Sequence, residues 1–476
     1  MNFKAALFLP ELLQIAIVLI LFVQTLGKTE NSIEKITAKL TWLPLASGLG
    51  IIVAILSLKV QGSMFYEAYQ MDPLSQFFKL AIAIGFFITV LNAIHQPLLE
   101  AEKRFDYFLF LALSACGLMF LSSAVELITI YVALEISSYS LYALIPIRGK
   151  EGKAAEAGIK YILFGAAATA VSLYGLSYIL AYQHSTYLNV LATKSWVMSE
   201  SAIGVMGLTL FMVGFFYKLA LFPFHFWCPD VYDGTSNETA AYAATLPKLG
   251  AVVILIRLTA LLKPGLEITT VMAILGAMSM TFGNLAALRQ KDIKRMLGYS
   301  SVAHAGYIMV GLSAVSPQGL SAAAFYSFIY ILMNLTCFWV ICRLTTDGRN
   351  LMLDDLNGLS NRAPYLAFIL AVSAFALVGL PPTAGFMGKL FLLTAAWDRG
   401  YNWLVIVAAL NTAVSIYYYL NLVRHAYTSE TESTFKLPKP ESALWGGVFA
   451  AILLILGAVP GFIYQWAEVA GRYLLP

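Results

Sequence analysis

Six basic residues interrupt stretches of this sequence that are otherwise apolar: Lys79, Lys160, Lys218, Lys248, Arg257 and Lys389. A charge at mid-bilayer depth costs at least about 2.5–3.5 kcal/mol on insertion scales, so it normally faces a wet interior or an opposite charge. Lys218, Lys248 and Lys389 sit deep in their runs. Lys79 and Arg257 lie nearer the ends, where a long side chain is expected to snorkel to the headgroups, and Lys160 is intermediate. One acid reads as comparably buried, Glu135 in Tyr131-Val-Ala-Leu-Glu-Ile-Ser-Ser-Tyr-Ser-Leu-Tyr142. Glu126 precedes it at the helix entrance and is expected to be solvated. A lone carboxylate in a membrane needs a cation, and Lys218 is the natural candidate. Such a pair either fixes helix packing or opens and closes, changing how readily Lys218 holds its proton. His304, in Tyr299-Ser-Ser-Val-Ala-His-Ala-Gly-Tyr307, adds an imidazole that titrates near neutral pH. His225 is a candidate gate, whereas His95, His184 and His425 fall at span ends or in loops. A row of protonatable groups across an apolar interior has the chemistry of proton movement.

The elements that must position these groups are membrane helices. Of 476 residues 60% are hydrophobic and 12% charged, against about 25% charge in a soluble domain. At roughly 20 residues per span the chain has room for about 14 crossings. Apolar runs near 5–26, 40–58, 74–94, 107–121, 126–146, 157–181, 202–223, 240–262, 267–288, 296–315, 320–342, 366–397, 401–423 and 444–466 supply them. The first has no small-residue cleavage site and is expected to stay as a helix. A formal charge of +4, from 30 Lys and Arg against 26 Asp and Glu, orients loops and does not suggest nucleic-acid binding. Loops after odd-numbered spans hold roughly 18 basic residues and the other loops and termini roughly 6, which predicts both termini on the periplasmic side.

The expected fold class is therefore all-α and polytopic, with about 14 transmembrane helices. An N-terminal three-helix segment (1–106) precedes two five-span blocks of nearly equal length, 107–263 and 267–423, and a C-terminal helix (424–476) follows. Five is odd, so the second block is inverted relative to the first, a transporter architecture in which each block forms a half-channel. The fourth span of each block carries a proline break, at Pro223 and at Pro381-Pro382. Broken helices free backbone groups and tend to line a cavity. No phosphate-cradling loop, dinucleotide fingerprint or clustered metal ligands are visible, and Cys116, Cys228, Cys337 and Cys342 read as packing residues.

Several motifs in order carry a family resemblance: Ala133-Leu-Glu-Ile-Ser-Ser-Tyr139, Gly158-Ile-Lys-Tyr-Ile-Leu-Phe-Gly165, Lys218-Leu-Ala-Leu-Phe-Pro-Phe-His-Phe-Trp227, Leu246-Pro-Lys-Leu-Gly250, Lys294-Arg-Met-Leu-Gly-Tyr-Ser-Ser-Val-Ala-His304 and Leu380-Pro-Pro-Thr-Ala-Gly-Phe-Met-Gly-Lys389. Over about 105–425 the chain resembles the antiporter-like subunits of respiratory complex I, the NADH–quinone oxidoreductase. Lys at 389, Lys160 and the absence of a long lateral helix match the N type, the counterpart of mitochondrial subunit 2. The resemblance implies a proton-translocating subunit without a redox centre. Flavin, iron–sulfur clusters and quinone belong to partner subunits, and the neighbours are adjacent antiporter-like and small membrane subunits in a bacterial inner membrane. It also implies a Glu135–Lys218 pair, Lys248 as the central lysine, His304 in the link, Lys389 as the terminal group and Lys160 as an additional lysine. The competing readings are an Mrp-type cation/proton antiporter subunit, a subunit of a proton-pumping hydrogenase or ferredoxin- or F420-linked oxidoreductase, and a structural scaffold.

Overall fold

The computed structural model describes residues 5–27, 33–94, 99–148, 152–263, 267–345, 347–428 and 443–475. His95 and the loop lysines Lys28 and Lys150 lie outside the described residues. The chain opens with α1 (Leu9–Thr25), a short α2 (Ile33–Lys39) and α3 (Trp42–Ser57). A two-stranded hairpin, β1 (Gly62–Met64) and β2 (Tyr69–Met71), then leads into α4 (Pro73–Ala93). The first long block comprises α5 (Arg104–Ser123), α6 (Leu127–Leu144), α7 (Gly152–Gln183), a one-turn α8 (Leu188–Leu191), α9 (Met198–Leu219), α10 (Trp227–Gly234), α11 (Asn237–Ala243) and α12 (Leu246–Thr259). After it come α13 (Glu267–Ala287), α14 (Ile293–Ser313), α15 (Pro317–Leu344), a short α16 (Leu359–Arg362), α17 (Pro364–Val378), α18 (Ala384–Asp398) and α19 (Asn402–Tyr427). Two last helices close the chain, α20 (Ala443–Ala458) and α21 (Gly461–Leu474).

Apart from the hairpin the architecture is helical, and ten helices among the described residues are long and apolar enough to cross a membrane, or eleven if the bent pair α20 and α21 counts as one span. The α14 helix has the length of a span, 21 residues, but is not among the ten. It is less apolar because it carries Lys294, Arg295, Ser300, Ser301 and His304. Segregation of buried and outward-facing helices sets the layout. The α11–α12 run and α15 have their apolar windows wholly buried, whereas those of α3 and α7 are only 28% buried. Polar groups on the two central elements are therefore shielded from lipid, which is where a charged path can persist.

Four breaks among the described residues depart from continuous spans. Two follow the expected prolines, between α9 and α10 and between α17 and α18. The third splits the expected 240–262 span at Ala244–Thr245, because Pro247 lacks the N–H that would continue the ladder. The Lys248 N–H turns to Thr245 O at 3.1 Å, and the Ala244 carbonyl accepts from the Tyr330 hydroxyl at 3.3 Å instead. The expected single helix at 444–466 is also corrected: α20 and α21 meet at 70° beside Pro460, and the second helix runs on to Leu474.

Candidate proton-relay axis

The two proline breaks are closed by the same local structure. At the end of α9, Ala220 takes a left-handed φ of 61°, its N–H donates to Tyr217 O at 2.9 Å and Leu221 N–H donates to Phe216 O at 2.9 Å. At the end of α17, Gly379 takes φ 85°, its N–H donates to Ala376 O at 3.1 Å and Leu380 N–H donates to Phe375 O at 3.0 Å. This is the paired-bond cap that ends many helices, with glycine at the second site relieved of a Cβ clash. The carbonyl of the last helical residue still lacks a helical donor, and a lysine supplies one in each case. Lys248 Nζ donates to Leu219 O at 2.9 Å, and Lys389 Nζ donates to Val378 O at 2.8 Å. Pro223, Pro381 and Pro382 themselves are exposed on the outer surface of the chain, so the breaks turn their carbonyls, not their prolines, towards the lysines.

Magnitudes show how each lysine is accommodated in the apolar interior. Burial costs each ammonium at least about 2.5–3.5 kcal/mol. A hydrogen bond to a charged group returns roughly 1.5–3 kcal/mol, and the negative end of a helix adds about 0.3–2 kcal/mol for a cation. The carbonyl bond and the helix end thus offset much of the cost of burial.

Between the two lysines lie two hydrogen-bonded groups of hydroxyls, one on Lys248 and one on His304, whose Tyr330 and His304 rings are 5.1 Å apart. Lys248 Nζ also contacts the Ser301 hydroxyl and lies 3.4 Å from Ser301 O. Ser301 Oγ is 2.6 Å from the Tyr330 hydroxyl. His304 Nδ1 is 2.6 Å from the Tyr326 hydroxyl and Nε2 is 3.2 Å from the Tyr419 hydroxyl, which in turn meets Ser300. Lys389 Nζ sits 4.2 Å from the Tyr307 ring centroid, and that ring is 6.1 Å from the His304 ring. Helical spacing makes this possible, because Ser300, His304 and Tyr307 recur along one face of α14 and Tyr326 and Tyr330 are one turn apart on α15. His304 and its hydroxyl partners are buried.

Lys218 and Glu135 are placed differently from the expected direct pair. Lys218 Nζ donates to the Tyr161 hydroxyl at 3.1 Å and lies 5.0 Å from the Tyr161 ring centroid, 5.7 Å from Tyr142 and 5.8 Å from Tyr217. Glu135 instead accepts from Thr169 Oγ1 at 2.9 Å. No ion pair joins Glu135 to Lys218 among the described residues, because the ammonium is taken up by aromatic faces. Tyr142, two turns beyond Glu135 on α6, is one of them.

Lys160 points away from this cage. Its Nζ is 2.7 Å from Asp230 Oδ2 and 2.7 Å from Glu156 Oε1, with the side chain 36% exposed, and Asp230 also binds Arg295 at 2.7 Å. Its neighbour Tyr161 is the residue that reaches Lys218. His225 is buried in the first break, its ring 4.6 Å from Phe282 and 5.4 Å from Phe222, with Nδ1 unbonded among the described residues.

Four further readings are corrected. Lys79 does not snorkel: it is fully buried, and Glu11, 68 positions earlier in the sequence, pairs with it at 2.5 Å while accepting from the Tyr69 hydroxyl at 2.5 Å. Arg257 does not snorkel either, since both carboxylate oxygens of Asp72, the N-cap of α4, accept from it at 2.7 and 3.1 Å. Glu135 is thus one of several buried acids, with Glu11, Asp72 and Glu238. Glu126 is not simply solvated, because it caps α6 by accepting from Ile128 N and Thr129 N at 3.1 and 2.7 Å. The sequence reading also missed Tyr161, Tyr326, Tyr330 and Tyr419. The i, i+4 tyrosines of α15 inside an apolar run were the available signal.

A family model described as the transmembrane region of NADH:quinone oxidoreductase and Mrp antiporters matches residues 124–415. The chain belongs to this family. The match spans every residue from Glu135 to Lys389 in the axis and leaves α1–α5, α20 and α21 outside. Among curated relatives, NADH-quinone oxidoreductase subunit N 2 of Solidesulfovibrio magneticus is 59% identical over 98% of this chain and 99% of its own length. Subunit N 2 of Opitutus terrae is 44% identical over 96% and 95%. Among solved structures, a chain of respiratory complex I from Thermus thermophilus with bound aureothin is 31% identical with a TM-score of 0.83, covering 96% of this chain and 98% of that one. A chain of the Mrp complex from Dietzia sp. superposes with a TM-score of 0.85 over 98% and 97% but is only 19% identical, a likeness of fold alone. Within the family, backbone shape does not separate the two complexes, whereas sequence identity sides with subunit N.

Proposed function

We propose that this chain is a proton-translocating membrane subunit of a bacterial NADH–quinone oxidoreductase, moving protons along the axis from Glu135 to Lys389. The observation that carries the reading is the repeated device at the two breaks: the same helix cap, with a buried lysine on the terminal carbonyl, and Ser301, Tyr330 and the His304 ring lying between them. A lysine that releases its proton lets go of its carbonyl, and a lysine that gains one takes it up again. Each break is thereby a two-position element whose state depends on protonation. Lys218, next to Leu219, loads the first break under the field of Glu135. His304 passes a proton between hydroxyls on its two nitrogens, and Lys389 delivers it at the far end. Lys160 with Asp230 gathers protons at the exposed end of α7, and His225 gates the first break.

The same reading counts fourteen crossings, with α9 and α10, α11 and α12, α17 and α18, and α20 and α21 each forming one broken crossing. Residues 107–263 and 267–423 are then inverted half-channels, 1–106 an N-terminal segment and 424–476 a C-terminal one, with both termini periplasmic. The matching caps at Ala220 and Gly379 support the repeat. The nicotinamide, flavin, iron–sulfur and quinone chemistry belongs to partner subunits, and adjacent antiporter-like and small membrane subunits flank the chain in the inner membrane. The deciding experiment is proton pumping by the purified complex in sealed vesicles with Lys248→Ala. Loss of pumping with full assembly is expected, and wild-type pumping would overturn the axis. A Na⁺ requirement for transport would instead favour an Mrp-type exchange.

A further inference from the structure

The C-terminal helices are not assigned a role by the axis, yet they touch its last break at backbone level. A Cβ on Gly457 of α20 would lie 2.0 Å from Pro382 O, 2.4 Å from Thr383 C and 2.7 Å from Ala384 N. All three are backbone atoms, two in the segment joining α17 to α18 and one at the first residue of α18, so none can rotate aside. Four residues after the bend begins, the Tyr464 ring of α21 packs 4.2 Å from Phe391 and 5.6 Å from Phe325, which are themselves 5.6 Å apart. Phe391 is two residues beyond Lys389 on α18. Phe325 adjoins Tyr326, the partner of His304, on α15. The 70° bend between α20 and α21 sets both contacts at once.

We propose that Gly457 and Tyr464 are positioning residues for the Lys389 end of the axis, the bent helix pair acting as a strut that holds the Pro381-Pro382 break in register with Val378 O. The inference rests on the translocation reading above. If the break must shift for Lys389 to release the Val378 carbonyl, then α20 sets how far it can move. Other glycines of the same helix separate this role from plain packing. Gly446 is buried, and its Cβ would meet only side chains, of Ile369 and Trp339, while that of Gly447 would meet nothing within 4 Å.

The test uses the whole complex, purified and reconstituted in vesicles, with Gly457→Ala, Gly446→Ala and Gly447→Ala. Protons moved per electron are measured, together with maleimide labelling of a Leu380→Cys reporter in each background. Displacement of a reacting group by about 1 Å costs up to about a hundredfold, so Gly457→Ala is expected to lower pumping about tenfold or more and to change Leu380→Cys labelling, with Gly447→Ala unchanged in both. Wild-type pumping by Gly457→Ala, or equal losses in Gly446→Ala and Gly457→Ala, overturns the proposal. Should Gly457→Ala fail to assemble, Tyr464→Leu, which adds no volume, decides: a several-fold loss of pumping supports the strut and wild-type pumping overturns it. Lys389→Arg in the same vesicles separates the two levels. If it fails to pump while Gly457→Ala pumps normally, only the strut falls; if Lys389→Arg pumps normally, the translocation role of Lys389 falls first.

Discussion

Lys389, on α18, donates to the carbonyl of Val378, the residue that ends α17, at 2.8 Å across the break that separates the two helices. A lysine can leave that carbonyl as a neutral amine, but an arginine cannot, because its guanidinium stays protonated in proteins. Lys389→Arg and Lys248→Arg are therefore expected to assemble, keep the charge and lose pumping nearly as fully as the alanine variants. Pumping at wild-type stoichiometry in vesicles would show that lysine to be a fixed charge and not a carrier.

The Lys218 cage makes a second prediction. Residues in direct contact couple by about 0.5–3 kcal/mol in double-mutant cycles, and separated ones less. Lys218 bonds Tyr161 at 3.1 Å and does not touch Glu135. Cycles of pumping rate should thus give a larger coupling for Lys218→Ala with Tyr161→Phe than for Lys218→Ala with Glu135→Gln. The reverse order would restore a direct Glu135–Lys218 pair.

Glu11 and Lys79 form a buried pair outside the family match, each side chain 0% exposed. Removing one partner leaves an uncompensated charge and costs about 3–5 kcal/mol, whereas an apolar replacement of both is close to neutral. Lys79→Met alone should depress the yield or thermal stability of the complex, and Glu11→Leu with Lys79→Met should recover most of it. If the double variant is as unstable as the single, the pair is not a packing device.

His304 bridges Tyr326 and Tyr419 with its two nitrogens. Replacement by Gln keeps hydrogen bonding but removes proton exchange on a ring, so His304→Gln should assemble and lose pumping by about a hundredfold, within the 10²–10⁴ range of a positioned acid–base group. A variant that pumps normally would leave His304 as a packing residue.

Orientation is open to direct labelling. Thr270 and Lys291 are exposed near opposite ends of α13, and the loop charges predict Lys291 on the cytoplasmic side. Thr270→Cys should react with a membrane-impermeant maleimide from the periplasm and Lys291→Cys only after the membrane is opened. Labelling of both from one side would break the alternation on which the fourteen-crossing count rests.

The membrane class, the approximate extents of most helices and the burial of Lys218, Lys248 and Lys389 were legible in the sequence, because hydropathy and the cost of a buried charge are properties of a short stretch of chain. The prolines at 223 and 381–382 marked two breaks for the same local reason, the missing N–H. The counter-charges were not legible. Glu11 meets Lys79 and Asp72 meets Arg257 only once α1, α4 and α12 are packed, so these basic residues looked like ends reaching for headgroups. Nor could spacing tell that Lys218 turns into a cage of Tyr142, Tyr161 and Tyr217 and not onto Glu135, since a hydroxyl on an aromatic ring reads as apolar in a hydropathy sum. The partners of Lys248 and Lys389 were the least visible of all, because they are main-chain carbonyls, which every residue carries, and only the tertiary fold decides which of them a helix end leaves free and which side chain arrives there.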